Sequence, residues 1–364
     1  MVQQRRQGRQ RRAETVTAAR PAARPGDTAD TPEPDIEASG GRAQLLVARD
    51  GLKLRIASWQ PPGATRDIVL LGGRSEFIEK FLETIGELVQ RGFRVWTFDW
   101  RGQGLSGREL SDPLKGHIER YETYLDDLDL FLGAVVRRTA TGPLIVLANS
   151  MGGHIVLRYM HDHPDAFERA VLTAPMFDIM TGFYPAGIAR GYAAVACWLG
   201  LGDHFIPGGG EWDRATLPFY DNKLTSDHDR FQDEVGWLAR RPALAVGGPT
   251  YAWVHATFVS IDLCRNPAYV SSIGAPILVV SASDERIVRN DIQVMLSGAM
   301  PRCRRIELAG ARHEILKETD EIRGRFWNEF DAFVGMQPAP AGSARPRGNA
   351  AETGSALSTV RSPA

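Results

Sequence analysis

The run Leu144-Ile145-Val146-Leu147-Ala148-Asn149-Ser150-Met151-Gly152-Gly153-His154 carries an apolar strand pattern straight into a serine and a helix. A serine at a tight strand-to-helix turn is placed to attack a carbonyl carbon. The turn lifts its hydroxyl out of the sheet and aims the next N–H at the oxygen on which charge develops. Such a turn holds the serine in a sparsely populated backbone conformation, at a cost of about 1–3 kcal/mol. Crowding where strand and helix converge then asks for small residues two places to either side. Ala148 and Gly152 stand at those places, Ala148 adding one methyl group where glycine is usual. A serine before two glycines could also cap a helix in an ordinary loop, so the decision falls to residues elsewhere in the chain.

Two later segments supply the partners that such a serine needs. Ile277-Leu278-Val279-Val280-Ser281-Ala282-Ser283-Asp284-Glu285 is a second apolar run ending in acids, and Leu308-Ala309-Gly310-Ala311-Arg312-His313 puts a histidine in a glycine-containing loop after a third run. Serine is a weak nucleophile at its own pKa. A histidine titrating near about 6.5 can take its proton, and a buried carboxylate can fix the imidazole tautomer. Serine, acid, histidine is a chain order in which these three groups meet at the ends of parallel strands. A loop histidine on the surface is the competing reading of His313.

The elements that must position these residues alternate. Ala43 to Arg49 and Leu52 to Trp59, split by Asp50-Gly51, read as a β-hairpin. Ile68 to Leu71 is an apolar strand ending at Gly72-Gly73, Phe77 to Gln90 an amphipathic helix, and Phe93 to Phe98 a strand. After the glycine-dense loop Asp99 to Arg108, a long helix should carry Ile118, Tyr121, Leu125, Leu128, Phe131 and Val135 on one face. The class is therefore α/β: a mostly parallel central sheet with helices on both faces, its active residues at the carboxyl ends of strands.

This rhythm stops after Ala170 to Pro175 and resumes near Ala275. The stretch between holds a small-residue apolar helix over Gly187 to Leu201 and a charged helical stretch over Asp227 to Arg240, and reads as a helical cap. The expected organisation is a core at 42–177 and 263–335, a cap insertion at 178–262, and disordered tails at 1–41 and 336–364. Gly187 to Leu201 is interrupted by Arg190 and falls short of the ~20 apolar residues needed to span a bilayer.

Formal net charge is −1, which gives no bias toward nucleic acid as a partner. The cysteines Cys197, Cys264 and Cys303 are widely spaced and lack any Cys-x-x-Cys, so neither a disulfide framework nor a zinc site is expected. His161-Asp162-His163 closes a helix before Pro164 and reads as a solvated helix end, not as metal ligands. No metal or cofactor is expected. The first forty residues carry Arg5, Arg6, Arg9, Arg11, Arg12, Arg20 and Arg24 with no apolar run after them, so no export signal is complete. The expectation is a cytoplasmic protein with a disordered basic arm. The sharper alternative is peripheral contact of that arm with anionic lipid at the inner face of the membrane.

Taken together, the loop Asp99-Trp100-Arg101-Gly102-Gln103-Gly104-Leu105-Ser106-Gly107-Arg108, the elbow at Ala148 to Gly153, Gly247-Gly248-Pro249-Thr250-Tyr251-Ala252-Trp253 and Gly310-Ala311-Arg312-His313-Glu314-Ile315-Leu316 resemble the bacterial lysophospholipases. That group is similar to the monoglyceride lipases among the α/β-hydrolases. The likeness covers roughly Leu45 to Gly335 and implies an α/β-hydrolase fold with Ser150 as nucleophile, His313 as general base and then acid, and Asp284 as orienting acid. Glu285 is the adjacent alternative. The resemblance implies an oxyanion hole made by the N–H of Met151 and, from the turn after the Ile68–Leu71 strand, the N–H of Arg74. Related lipases carry a His-Gly pair at that turn, which Leu71-Gly72-Gly73-Arg74 lacks. Main-chain donors suffice for the hole.

The implied reaction is acyl transfer from a lysophospholipid or monoacylglycerol through an acyl-enzyme, with Trp198, Tyr251 and Trp253 as candidates for lining the acyl pocket. Ordinary core packing is the competing reading of those aromatics. Rival functions on the same residues are a monoacylglycerol lipase or a general carboxylesterase. An aminopeptidase releasing N-terminal proline ranks lower, because no acidic cluster in the cap is evident. From another class comes a catalytically silent hydrolase fold that binds a ligand.

Overall fold

The computed structural model describes residues 24–182, 185–210 and 218–336. The arginines Arg5 to Arg20 and the tail from residue 337 lie outside the described residues. Nine strands form one sheet: β1 (Thr28–Asp30), β2 (Arg42–Val47), β3 (Lys53–Trp59), β4 (Arg66–Leu71), β5 (Phe93–Phe98), β6 (Leu144–Asn149), β7 (Arg169–Thr173), β8 (Ile277–Ala282) and β9 (Cys303–Leu308). Their order is β1-β2-β3-β5-β4-β6-β7-β8-β9. Pairings from β1 to β5 across β3 are antiparallel, and β5-β4-β6-β7-β8-β9 are parallel throughout. Every residue of β6 and of β8 is buried, as expected for parallel strands covered on both sides.

Alternation along these strands sorts the core into two layers. Val69, Leu71, Trp96, Phe98, Val146, Ala148, Leu172 and Val279 face one side. There they pack on α3 (Glu122–Phe131), α5 (Ser150–Asp162), α8 (Tyr251–Cys264) and α10 (Asn290–Ala299). Ile68, Leu70, Val95, Ile145, Leu147, Val171, Leu278 and Val280 face the other, beneath α2 (Leu82–Gln90) and α11 (Asp320–Val334).

Two helices depart locally from the sequence expectations. The helix expected over Phe77 to Gln90 opens as a 3-10 turn at Ile78–Phe81 before α2. The helix expected to present Ile118 to Val135 starts at Glu122, passes through a π turn at Leu132–Val136 and ends in α4 (Arg137–Thr139). The extra residue of a π turn rotates the helix beyond it, so Val136 is buried and Val135 only partly so.

The ordered chain also begins well before residue 42. Thr28–Asp30 pairs with β2 as an edge strand, and α1 (Pro34–Ala38) buries Ile36 against the second core layer. All three residues of β1 are exposed, so no hydrophobic alternation marked it. Polar anchors hold the segment instead: Glu33 accepts from Arg241 at 2.5 Å and 3.1 Å and lies 3.8 Å from Arg55.

The cap comprises α6 (Ala186–Trp198), α7 (His228–Arg240) and α8, which α9 (Pro267–Val270) follows. Asp227 caps α7 by accepting from the Arg230 N–H at 2.9 Å, and Thr250 caps α8 by accepting from that of Trp253 at 3.3 Å. The expected cap boundary at 262 falls inside α8, whose Phe258 and Ile261 are already core residues. No helix of the described residues is long and apolar enough to cross a membrane.

Candidate active site

Strand β6 delivers Ser150 to the first position of α5 with φ +49°, the left-handed region that non-glycine residues enter only under constraint. The constraint is visible around it. A Cβ on Gly152 would lie 2.5 Å from the Gly72 carbonyl oxygen, and one on Gly73 would lie 2.9 Å from Ser150 Cβ. Ala148 is fully buried between β4 and β7, so the strand crossing accommodates its methyl group.

The loop after β9 brings His313 to Ser150. Glu285 accepts from Nδ1–H of His313 at 2.8 Å, which leaves Nε2 as the acceptor for the Ser150 hydroxyl at 2.9 Å. All three side chains are buried. Burial disfavours the imidazolium, but the Glu285 carboxylate, with Glu314 and Glu76 beyond it, outweighs that and raises the His313 pKa above its ordinary value. For Glu285, burial pushes upward and is overcome by the His313 charge and hydrogen bond and by the N–H groups of Ile287 (2.8 Å) and Val288 (3.2 Å), so its pKa is lowered.

The expected acid Asp284 is not the one against the histidine. Its N–H donates to the Ala311 carbonyl at 2.9 Å, while its carboxylate turns outward to Arg286 at 2.9 and 3.0 Å and lies 3.6 Å from Arg312. Strand β8 ends at Ala282, and beyond a strand end the period-2 rule no longer says which of two adjacent side chains points inward.

Met151 occupies the first turn of α5, where backbone N–H groups have no acceptor within the helix. Arg74 sits in the turn after β4, flanked by groups that fix the backbone there. The Gly73 N–H donates to Glu76 Oε2 and the Ser75 N–H to Gln103 Oε1. The Arg74 guanidinium donates to the Gly247 carbonyl at 2.6 Å and lies over the Trp253 ring.

The glycine-dense loop backs this turn. Trp100 Nε1 donates to the Gly72 carbonyl at 2.8 Å, and Asp99 accepts from the N–H of Ile78 at 3.0 Å and of Leu105 at 2.8 Å. Asp99 is itself buried, which pushes its pKa up to about 6, and it lies 2.7 Å from Arg55. A Cβ on Gly104 would collide with the Asp99 carboxylate at 2.1 Å, so this position admits only glycine.

Ser150 and His313 open onto a cavity of about 960 Å³ between the sheet ends and the cap. Met176, Ile179, Ile188, Tyr251, Trp253 and Phe258 give it apolar walls, while Arg74, Glu76, Lys223 and Glu314 are among its polar lining residues. Tyr251 and Trp253 are among its lining residues. Trp198 is not: it stands at the end of α6, 83% exposed, and the cavity takes Ala189, Tyr192 and Ala193 from the earlier turns of that helix.

Comparison with known proteins accords with this geometry. The family model described as serine aminopeptidase, S33, matches residues 63–320. The chain belongs to the serine aminopeptidase S33 family. Lysophospholipase L2 of Escherichia coli (strain K12) is 31% identical over 305 residues, covering 81% of this chain and 87% of that protein. The monoacylglycerol lipase of Mycolicibacterium smegmatis is 27% identical over 239 residues, covering 65% and 77%.

Among solved structures, a soluble variant of monoglyceride lipase from Saccharomyces cerevisiae superposes with TM-score 0.62 at 18% identity, covering 78% of this chain and 92% of that one. A carboxyl esterase from Bacillus coagulans gives TM-score 0.66 at 16% identity, covering 81% and 98%. This S33 member therefore has the α/β-hydrolase fold and is a carboxylic ester hydrolase of the lysophospholipase-like kind.

Beside the S33 elbow the structure places residues that the sequence pattern did not single out. Lys80 is 1% exposed, its Nζ 2.6 Å from Glu314, 2.9 Å from Glu234 and 3.5 Å from Glu76. Asn149 Nδ2 donates to both Glu76 oxygens at 3.1 Å, and its Oδ1 accepts from Thr173 Oγ1 at 2.9 Å. Lys80 falls on the polar side of the helix expected over Phe77 to Gln90, and Glu76 lies just before that helix, so neither carried a sequence signal beyond closeness to the Gly72-Gly73 turn.

Proposed function

We propose that the protein hydrolyses the acyl ester of lysophospholipids by way of an acyl-enzyme, with Ser150 as nucleophile, His313 as proton carrier and Glu285 as orienting acid. The observation that carries this reading is the relay at one wall of an apolar cavity: Glu285 to Nδ1 of His313 at 2.8 Å, Nε2 to Ser150 Oγ at 2.9 Å. In the first half-reaction Ser150 Oγ bonds to the carbonyl carbon as its proton passes to Nε2. The N–H groups of Met151 and Arg74 hold the oxyanion; the C–O bond to the alcohol then breaks and Nε2 returns the proton to the leaving oxygen. Water repeats the sequence on the acyl-enzyme, giving its proton to Nε2 and its oxygen to the carbonyl carbon. The fatty acid leaves and Ser150 regains its hydrogen.

The apolar lining suits an acyl chain, and the polar lining residues Arg74, Asn222 and Lys223 suit a headgroup. The relatives named lysophospholipase supply the class of ester. The test is a panel on purified protein: lysophosphatidylcholine, a monoacylglycerol of equal chain length, a short p-nitrophenyl ester and a prolyl anilide. The expected order of kcat/KM puts lysophosphatidylcholine above the monoacylglycerol. The reverse order would make this a monoacylglycerol lipase, and preferred cleavage of the anilide an aminopeptidase. A wild-type protein inert to every substrate and to a fluorophosphonate would leave a ligand-binding fold.

A further inference from the structure

Glu76 is buried, lines the cavity and is hydrogen-bonded to residues on both sides of the reacting centre. Its Oε2 accepts from the Gly73 N–H, the residue before Arg74, and its two oxygens accept from Asn149 Nδ2, the residue before Ser150. The turn it grips needs a restraint. Ser75 has φ +60°, a conformation a serine keeps only when its surroundings impose it, and Gly73 is packed so closely on Ser150 that a Cβ there would clash.

We propose that Glu76 is a positioning residue of the hydrolytic site: it ties the turn that carries the second oxyanion donor to the strand that carries the nucleophile, and Lys80 holds its carboxylate in place. This inference rests on the acyl-transfer reading above. The chemistry of the link favours a carboxylate. Donors from Gly73 and Asn149 and, at 3.5 Å, the Lys80 ammonium converge on Glu76, and a carboxylate only accepts, whereas an amide would turn an NH2 toward one of them. A carboxylate beside the oxyanion turn would oppose a developing negative charge unless countered, and Lys80, held also by Glu314 and Glu234, lies 3.5 Å from it. Glu314 follows His313 in the chain and Glu234 belongs to α7. One ammonium thereby joins the oxyanion turn, the histidine loop and the cap.

The test compares wild type with Glu76→Gln on a short p-nitrophenyl ester, together with the Ki of an alkyl boronic acid, which forms a tetrahedral adduct at the serine. A displaced donor weakens the transition state more than the bound substrate, so kcat should fall about 10- to 100-fold with KM within about 3-fold. The boronic acid Ki should rise by the same factor as kcat falls. A residue important only for folding would lower the melting temperature without moving kcat and Ki together. Asn149→Ala cuts the other end of the link without altering a charge and should show the same split; if Glu76→Gln does not fold, this variant alone decides. Folded variants with unchanged kcat and Ki, or a loss lying wholly in KM, would overturn the proposal while the hydrolase stands. A wild type inert to fluorophosphonate would remove both readings.

Discussion

The floor of the site and its roof are built on opposite terms. At the floor, charges are buried and answered: Arg55 meets Glu79 at 2.6 Å and Asp99 at 2.7 Å, and Lys80 meets its glutamates, all nearly without exposure. On the roof, apolar side chains face outward: Trp198 is 83% exposed, Leu199 59% and Val195 54%. Removing one partner of a buried ion pair typically costs about 3–5 kcal/mol, because the other charge is left stranded. Such a floor admits few alternative arrangements, which suits groups that must hold near-contact geometry. An exposed apolar side chain can be truncated with little loss. The contrast predicts that chemistry depends on the floor and substrate choice on the cap.

The sharpest way to break that division is Ser150→Ala or His313→Ala. Either should lower kcat by roughly 10⁴- to 10⁶-fold and, for Ser150→Ala, abolish fluorophosphonate labelling. Residual activity above a hundredth of wild type would remove the triad from the mechanism.

Next in size comes the choice of acid. Glu285→Gln should cost about 10²- to 10⁴-fold in kcat/KM through a wrong tautomer, while Asp284→Asn, whose partners are the exposed Arg286 and the half-buried Arg312, should stay within about 3-fold of wild type. Steady-state kinetics on one ester checks both, and the opposite ranking would restore Asp284.

The pH profile depends on the same pair. Glu285, Glu314 and Glu76 raise the His313 pKa against the opposing effect of burial, so the imidazole stays protonated to a pH above its ordinary range. A protonated Nε2 cannot accept from Ser150, and kcat/KM should therefore fall as pH drops through a midpoint above about 6.5. In Glu285→Gln the midpoint should move down; a wild-type midpoint below that of the variant contradicts the assignment.

Smallest are the effects in the cap. Trp253→Ala, opening the cavity wall, should raise KM for a long-chain ester several-fold more than for an acetate, by about 1–3 kcal/mol of lost apolar contact. Trp198→Ala should leave both esters within about 2-fold of wild type. Equal responses of the two tryptophans, measured as KM ratios, would erase the distinction between cavity wall and outer face.

Much of the floor was legible in sequence because its strands repeat one pattern. Ile68–Leu71, Leu144–Asn149 and Ile277–Ala282 are apolar runs that only a doubly covered sheet can bury; Ser150 lies just beyond one and the acids Asp284 and Glu285 just beyond another. The residues that escaped lie where a period ends or a network begins. Asp284 and Glu285 sit past the last strand residue, so alternation could not rank them. Lys80 reads as surface in any helical projection, and its burial depends on Glu76, Glu234 and Glu314, scattered over 238 positions. Trp198 is a pocket residue by type, yet the α6 turns that hold Ala189 and Ala193 face the cavity instead. The polar edge strand at Thr28–Asp30 had no hydrophobic signature at all.

That edge strand has a practical consequence through Glu33. This carboxylate reaches Arg241, just past α7, and lies beside Arg55 of β3, so the leader of the chain works as a clasp between lid and body. A shortened protein begun at residue 42 would lose the clasp and uncover the β2 edge, leaving unpaired backbone groups open to association with other chains. A protein begun at residue 42 should accordingly open more readily and aggregate sooner than one that keeps residues 24–41.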